Sequence, residues 1–252
     1  MTSHLVSFAT PQYKRSQNQL NASALSFGID EIHNFTEKDL KKTPFFKEHQ
    51  AILSQERGCG YWLWKPYFIL KVLNSVPPND IVMYADAGNT VINDLSPLFH
   101  LCENNTIVLF QVHGHRNDTW TKRDAFVLMD CDTDFYYTAE QVCGSPILFK
   151  NTAVLRAFVE KWLFYCQNAL ILTDSPNKCG KPNMPQFQDH RHDQSILSLL
   201  ALKQGLTIHR DPSQFGNAHL EAYPQSNYKQ LLDLHRHKHF TFFQKILHKL
   251  NG

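Results

Sequence analysis

The chain has 252 residues, 42% of them hydrophobic and 12% aromatic, which is ample material for the core of one α/β domain and too much for a disordered chain. Lys and Arg total 25 against 23 Asp and Glu; the net charge of +2 provides no field to draw the protein onto DNA or RNA, so no nucleic acid partner is expected. The six cysteines form no C-x-x-C pair, residues 1–8 lack a basic stretch followed by a long apolar one, and 18 consecutive apolar residues occur nowhere, so we expect reduced thiols, no leader, no membrane span and a cytoplasmic location.

Strand and helix patterns alternate along the chain without repeats or low-complexity tracts, and that alternation marks an α/β fold. Residues 4–10 read as a first strand closed by Pro11, then a loop carrying Lys14 and Arg15, then a helix over 20–27. A second strand is predicted at 29–35 and a helix at 44–56, stopped by Gly58-Cys59-Gly60. Pro66 suits the first turn of a helix over 66–73, with Pro77-Pro78 beyond its end. Residues 80–85 form an apolar run that meets Asp86, Ala87 and Gly88. Such a run predicts a central strand buried on both faces, with its carboxylate at the edge where open α/β sheets bind ligands. Strands follow at 106–111 and 145–149, an amphipathic helix at 152–166, a helix at 193–203 stopped by Gly205, and a strand at 206–209. Residues 238–250 place Phe240, Phe243, Leu247 and Leu250 on one face, the spacing both of a helix docked on the body and of one lying at a membrane surface.

Five stretches carry polar chemistry. Asp86, at a strand end before a small residue and a glycine, suits a divalent cation, or alternatively a turn cap. In Gly58-Cys59-Gly60-Tyr61-Trp62-Leu63-Trp64-Lys65-Pro66, glycines allow close backbone approach and Lys65 at a helix start can meet phosphate oxygens; the tryptophans equally suit the core. In Asp189-His190-Arg191-His192-Asp193-Gln194-Ser195, Asp193 reads either as a helix cap or as a base beside an acceptor hydroxyl, with Asp189 competing for the second role. Lys122-Arg123 and His235-Arg236-His237-Lys238 are short basic clusters able to bind phosphate or to lie solvated, and His235 is a metal-ligand candidate among the 14 histidines.

The order of these pieces, Phe8-Ala9-Thr10, the Gly60–Pro66 motif, Tyr84-Ala85-Asp86-Ala87-Gly88, the stretch from Gly144 to Asn151 and His190-Arg191-His192-Asp193-Gln194-Ser195, resembles bacterial and viral sugar transferases of the GT-A fold over residues 4–210. The resemblance implies a Rossmann-like mixed sheet flanked by helices in a single domain over 1–252. Its nucleotide-sugar half would span 1–100, its acceptor half 101–237 and an amphipathic C-terminal helix 238–252. It implies transfer of a sugar from a nucleoside diphosphate sugar to a hydroxyl of a glycan or glycolipid, with either stereochemical outcome open, and an acceptor of that kind would suit a peripheral membrane contact. Members carry an Asp-x-Asp signature for Mn²⁺ or Mg²⁺; here Asp86 matches the first acid and Gly88 stands at the second, leaving Asn89, Asp94, a histidine or water to complete a metal shell. The implied donor-binding residues are Thr10, Arg15, Trp64, Lys65, Asp86, Ala87, Gly88, Lys122 and Arg123. Gly144, Ser145, His192 and Gln194 would bind the acceptor, Asp193 would act on it, and Asp86 with His235 would hold the metal. A sugar nucleotidyltransferase and a non-catalytic carbohydrate- or metal-binding module are the alternatives; the first usually needs a glycine-rich loop after the first strand, which residues 10–15 lack.

Overall fold

Residues 3–9 and 81–84 are buried at every position, as expected of strands covered by helices on both faces. The structure, a computed structural model, describes residues 1–235. Its strands are Ser3–Ala9 (β1), Glu31–Thr36 (β2), Ile81–Tyr84 (β3), Asn89–Val91 (β4), Ile107–Arg116 (β5), Glu140–Val142 (β6), Ile147–Lys150 (β7), Ile208–His209 (β8) and Leu232–Leu234 (β9). The main sheet is mixed: β1 lies between β2 and β3 with all three parallel, β7 is antiparallel to β3 and to β5, and β5 also pairs antiparallel with β6 and parallel with β8. β4 and β9 form a separate antiparallel ribbon. The carboxyl ends of β1, β2 and β3 therefore share one edge, and Asp86 follows β3 there.

Alternate residues face opposite sides of a strand, and the sheet accordingly divides two cores. Leu5, Ile81, Met83 and Leu148 pack with Leu20, Ala24, Leu98 and Cys102 from helices Lys14–Ser26 (α1) and Ser96–Asn104, while Val6, Phe8, Val82 and Phe149 pack on the other face. That second face is covered by Trp64–Leu73 (α2), Ala153–Cys166 (α3) and His192–Lys203 (α4), through residues such as Ile69, Trp162 and Leu197. α4 is buried nearly all round, which is why its sequence carries an apolar run rather than a stripe.

Several boundaries differ from the sequence reading. A 3₁₀ turn over Pro11–Tyr13 leads straight into α1, so Lys14 and Arg15 sit on a helix and not in a loop. The 44–56 helix is two pieces, Pro44–Glu48 and Gln50–Leu53, broken at His49 with φ −109° and ψ 28°. The ribbon, the helix Ser96–Asn104, and the short helices and β6 between 117 and 142 carry no pattern long enough to show as a period. The tail at 238–252 lies outside the described residues.

The Gly58–Trp62 segment is the largest departure. All five residues have positive φ, between 53° and 89°, so the chain makes a left-handed turn before α2. It is closed by Tyr61 N–H donating to Arg57 O at 2.7 Å and by the Trp64 indole donating to Gly58 O at 2.9 Å. A left-handed turn costs about 1–2 kcal/mol for each residue bearing a Cβ, here Cys59, Tyr61 and Trp62, so the glycines limit the strain of the turn. At Gly60, φ is +89° and a Cβ would come 2.5 Å from Leu53 Cα. We expect Gly60→Ala to cost at least about 2 kcal/mol and to lower Tm by roughly 4–8 °C in calorimetry.

Candidate active site

Asp86 is fixed from three sides. Its N–H donates to Ser145 Oγ at 2.8 Å, the Tyr84 hydroxyl donates to its Oδ1 at 2.5 Å, and Asn89 Nδ2 donates to its carbonyl at 2.9 Å and to Ser145 Oγ at 3.2 Å. The backbone is thus held while the carboxylate keeps partial access to solvent. Beneath it lies a closed ion pair: Lys65 Nζ is 2.7 Å from Asp193 Oδ2, and both side chains are 4% exposed. Lys65 also donates to Gly144 O at 3.1 Å and sits 5.2 Å from the centre of the Tyr84 ring. The left-handed turn sets the start of α2, and hence where Lys65 enters; the Trp162 indole, donating to Asp193 O at 3.0 Å, sets the start of α4.

Burial pushes the Asp193 carboxyl up to about 6, against the pull of Lys65, with Asp86 adding to the push. Burial also works against the Lys65 ammonium, yet Asp193 and then Asp86 hold it above its ordinary range. At neutral pH the group therefore carries one positive and two negative charges, a surplus of one negative. Gly144 and Gln194 close the floor: a Cβ at Gly144 would lie 3.4 Å from Gln194 Cβ and from Lys65 Nζ, and Gln194 donates to Gln141 Oε1 at 3.1 Å.

So the structure joins Lys65, Asp86, Gly144, Ser145, Asp193 and Gln194 from four segments of the chain. Tyr84, Asn89 and Gln141 belong to the same group; Asn89, named from the sequence as a possible metal ligand, instead braces the Asp86 backbone and Ser145, while Tyr84, two residues before Asp86, and Gln141 are missed by sequence reasoning. Ala87 is buried in the turn. Gly88 stands where a second acid would be because β9 crosses there: a Cβ would lie 2.4 Å from His235 O, and the His235 N–H donates to Gly88 O at 2.8 Å.

Other expected site residues are engaged elsewhere. Lys122 is buried, with its ammonium donating to Thr173 O and Ser175 O, and Arg123 is held by Asp132 at 2.8 Å, so neither cation is presented to a diphosphate. Trp64 is a core residue stacked on Phe8 at 3.9 Å. The His192 ring is buried, its Nδ1 2.8 Å from Leu172 O, which removes it from an acceptor site. Asp189 pairs with Arg57 at 2.6 Å, which leaves Asp193 as the acid of the floor.

A cavity of about 670 Å³ opens at the same sheet edge, between the ends of β1 and β2. Thr10 and Lys14 line one wall and Thr36, Glu37, Lys38, Lys41 and Lys42 the other, four lysines against one acid; Arg15 is exposed and lies outside it. The signal for the second wall is Lys38-Asp39-Leu40-Lys41-Lys42, whose cations recur at helical spacing just after a strand end. With β1 between β2 and β3, this basic cavity and Asp86 occupy neighbouring strand ends, the usual place for a ligand in an open α/β sheet.

For a divalent cation at the end of β3 the carboxylate at hand is Asp86; Glu37, which lines the cavity at the end of β2, lies beside Lys41 and Cys59. His235 Nε2 is 3.0 Å from Thr90 Oγ1, which engages that ring nitrogen with the ribbon. One carboxylate fits Mg²⁺ or Mn²⁺ if substrate phosphates and water supply the remaining ligands, and the surplus negative charge favours such an ion.

No protein-family model and no curated protein matches the sequence. Among solved structures, the chain is similar to the apo WbbM bifunctional glycosyltransferase, at 11% identity with a TM-score of 0.55 over 94% of this chain; it spans 46% of that chain. It also aligns with mouse xyloside xylosyltransferase 1, apo form, at 11% identity with a TM-score of 0.49 over 97% of this chain and 99% of the other. At the first of these levels the likeness is one of fold, and the fold is the α/β, GT-A-type Rossmann-like mixed sheet flanked by helices.

The elevated Asp193 value sets a sign. Between the ordinary 3.8 and about 6, the folded chain keeps a proton that the unfolded chain has released, so this group's contribution to stability falls as pH rises through that window. We expect urea titrations of the wild type across that range to contain a downward component on the order of 3 kcal/mol that Asp193→Asn lacks.

Proposed function

We propose that the chain is a glycosyltransferase that takes a sugar from a nucleoside diphosphate sugar and passes it to an acceptor hydroxyl. The observation that carries this reading is the shared edge: a partly exposed, rigidly held carboxylate at Asp86 lies beside a basic cavity large enough for a nucleoside, on a fold like that of a glycosyltransferase structure. In this reading the cavity takes the nucleoside, with Lys14, Lys38, Lys41 and Lys42 attracting the charged donor. Asp86 faces the diphosphate; a Mg²⁺ or Mn²⁺ held there by Asp86 would offset charge on the departing diphosphate.

Asp193 takes a narrower role than that of a base on the acceptor. Its carboxylate is 4% exposed and paired, so it fixes Lys65 under Gly144 and Asp86, and the pair sets the electrostatic level of the floor on which the sugar rests. Gln194 and Ser145, at the rim of that floor, are the residues positioned to meet sugar or acceptor hydroxyls. The acceptor is a glycan or glycolipid hydroxyl in this proposal. The nucleotidyltransferase reading is weaker because the turn after β1, Thr10–Tyr13, has no glycine-rich phosphate loop.

The test is a panel of nucleoside diphosphate sugars with and without Mg²⁺ or Mn²⁺, reading Tm shift and nucleoside diphosphate release. One donor should raise Tm through mass action, and Asp86→Asn should lower release at least about 100-fold. Lys38→Ala with Lys41→Ala should raise the donor KM about tenfold with a smaller effect on kcat, as expected for lost binding energy. Release undiminished in Asp86→Asn would contradict the reading, and binding of a donor with no release would move the protein to the class of binding modules. As pH falls through about 6, protonation of Asp193 should unpair Lys65 and lower kcat/KM, giving an acid limb in the rate profile.

A further inference from the structure

The opposite edge of the sheet holds a second set of ligating side chains, unrelated to the donor site. His4 near the start of β1 stands in register with Glu31 at the start of β2, and His33 is two residues further on, so period-2 alternation puts Glu31 and His33 on one face of the strand. His4 Nδ1 is 3.1 Å from His33 Nε2 and 3.3 Å from Glu31 Oε2, and the three ligand atoms all lie within 4.8 Å of one another. Among the described residues this is the one group of three or more His, Cys, Asp or Glu side chains with metal-ligand spacing.

The tautomer of His4 decides what the group can hold. Its other nitrogen, Nε2, is 3.2 Å from Asp80 Oδ2, and Asp80 is itself fixed by the Thr2 N–H donating to Oδ1 at 2.8 Å. With the Nε2 proton committed to that carboxylate, neutral His4 turns a bare lone pair at Nδ1 toward a carboxylate oxygen and a second imidazole nitrogen. A proton placed among them can bond one partner; a cation about 2.0–2.1 Å from each atom bonds all three. The edge of a tetrahedron with such bonds is about 3.3 Å, close to both separations from His4 Nδ1. The carboxylate behind a ligating imidazole is the arrangement that orients histidines at zinc sites. Glu31 is 59% exposed, so an ion can reach the site and take water as its fourth ligand.

The geometry points to a zinc-type divalent cation bound by His4, His33 and Glu31, with Asp80 as the orienting carboxylate. Such an ion would tie β2, the terminal strand of the sheet, to β1 at the end remote from Asp86.

The experiment uses tag-free full-length protein, stripped with EDTA and dialysed against Zn²⁺, with bound metal measured by elemental analysis and affinity by titration. The expected result is one zinc per chain, affinity reduced at least tenfold in His33→Ala and Glu31→Gln, and undiminished in Asp86→Asn, which separates this site from the donor edge. Co²⁺ in place of zinc should give the visible absorption of a four-coordinate ion in the wild type and not in His33→Ala. Zinc-free thermal unfolding of each variant identifies any that fails to fold, and Glu31→Gln alters the most exposed ligand. Absence of bound zinc, with His4 merely protonated, or equal affinity in wild type and both ligand variants, would overturn the inference.

Discussion

The buried pair of Lys65 and Asp193 governs the layout of the whole candidate site. Two charges with 4% exposure can persist only if each is satisfied, and the surrounding structure is arranged to do so. Lys65 finds a carboxylate and a carbonyl; Asp193 finds an ammonium, and its own carbonyl receives the Trp162 indole. Because the pair cancels internally, Asp86 above it is left as the uncompensated charge, and it is the one of the three that meets solvent. A partly exposed carboxylate with its backbone locked by Ser145 and Asn89 is a preorganised group, held before any ligand arrives.

Holding that pair requires strain elsewhere. Lys65 enters the core from the first turn of α2, and α2 starts where it does because five consecutive residues turn in the left-handed sense. Arg57 at the head of that turn is 3.1 Å from Asp174 and 2.6 Å from Asp189, which ties the turn to the segment leading into α4. The two halves of the ion pair are therefore positioned by one connected set of contacts, from the turn before α2 to the start of α4.

The strand leading to Asp86 is legible in the sequence because an apolar run too short for a helix and followed by an acid fits a buried strand and little else, and the helices at 153–166 and 192–203 are legible from their length and apolar content. The Gly58–Trp62 stretch is visible as a motif but not as a conformation: glycine marks permission for positive φ, and does not say that Cys59, Tyr61 and Trp62 will follow. Charge is the least legible property. Lys122, Arg123 and His192 look like ligands in sequence, yet Lys122 and His192 are consumed by partners far along the chain and Arg123 by Asp132 nine residues on. The basic wall at Lys38, Lys41 and Lys42 has the pattern of a solvated helix, and only the pairing of β2 beside β1 turns it into one side of a cavity. Likewise, Gly88 departs from the expected acid for a reason that lies in residue 235, far along the chain.

The proposed function requires a nucleoside diphosphate sugar to lie along the carboxyl ends of β1, β2 and β3, with the diphosphate at Asp86. A crystal structure of the protein with a donor that raises its Tm tests this directly. The base should lie in the cavity between Thr10 and Lys41, and the diphosphate within bonding distance of Asp86 or of a cation that Asp86 holds. A donor seated anywhere else, with Asp86 facing only water, would contradict the assignment.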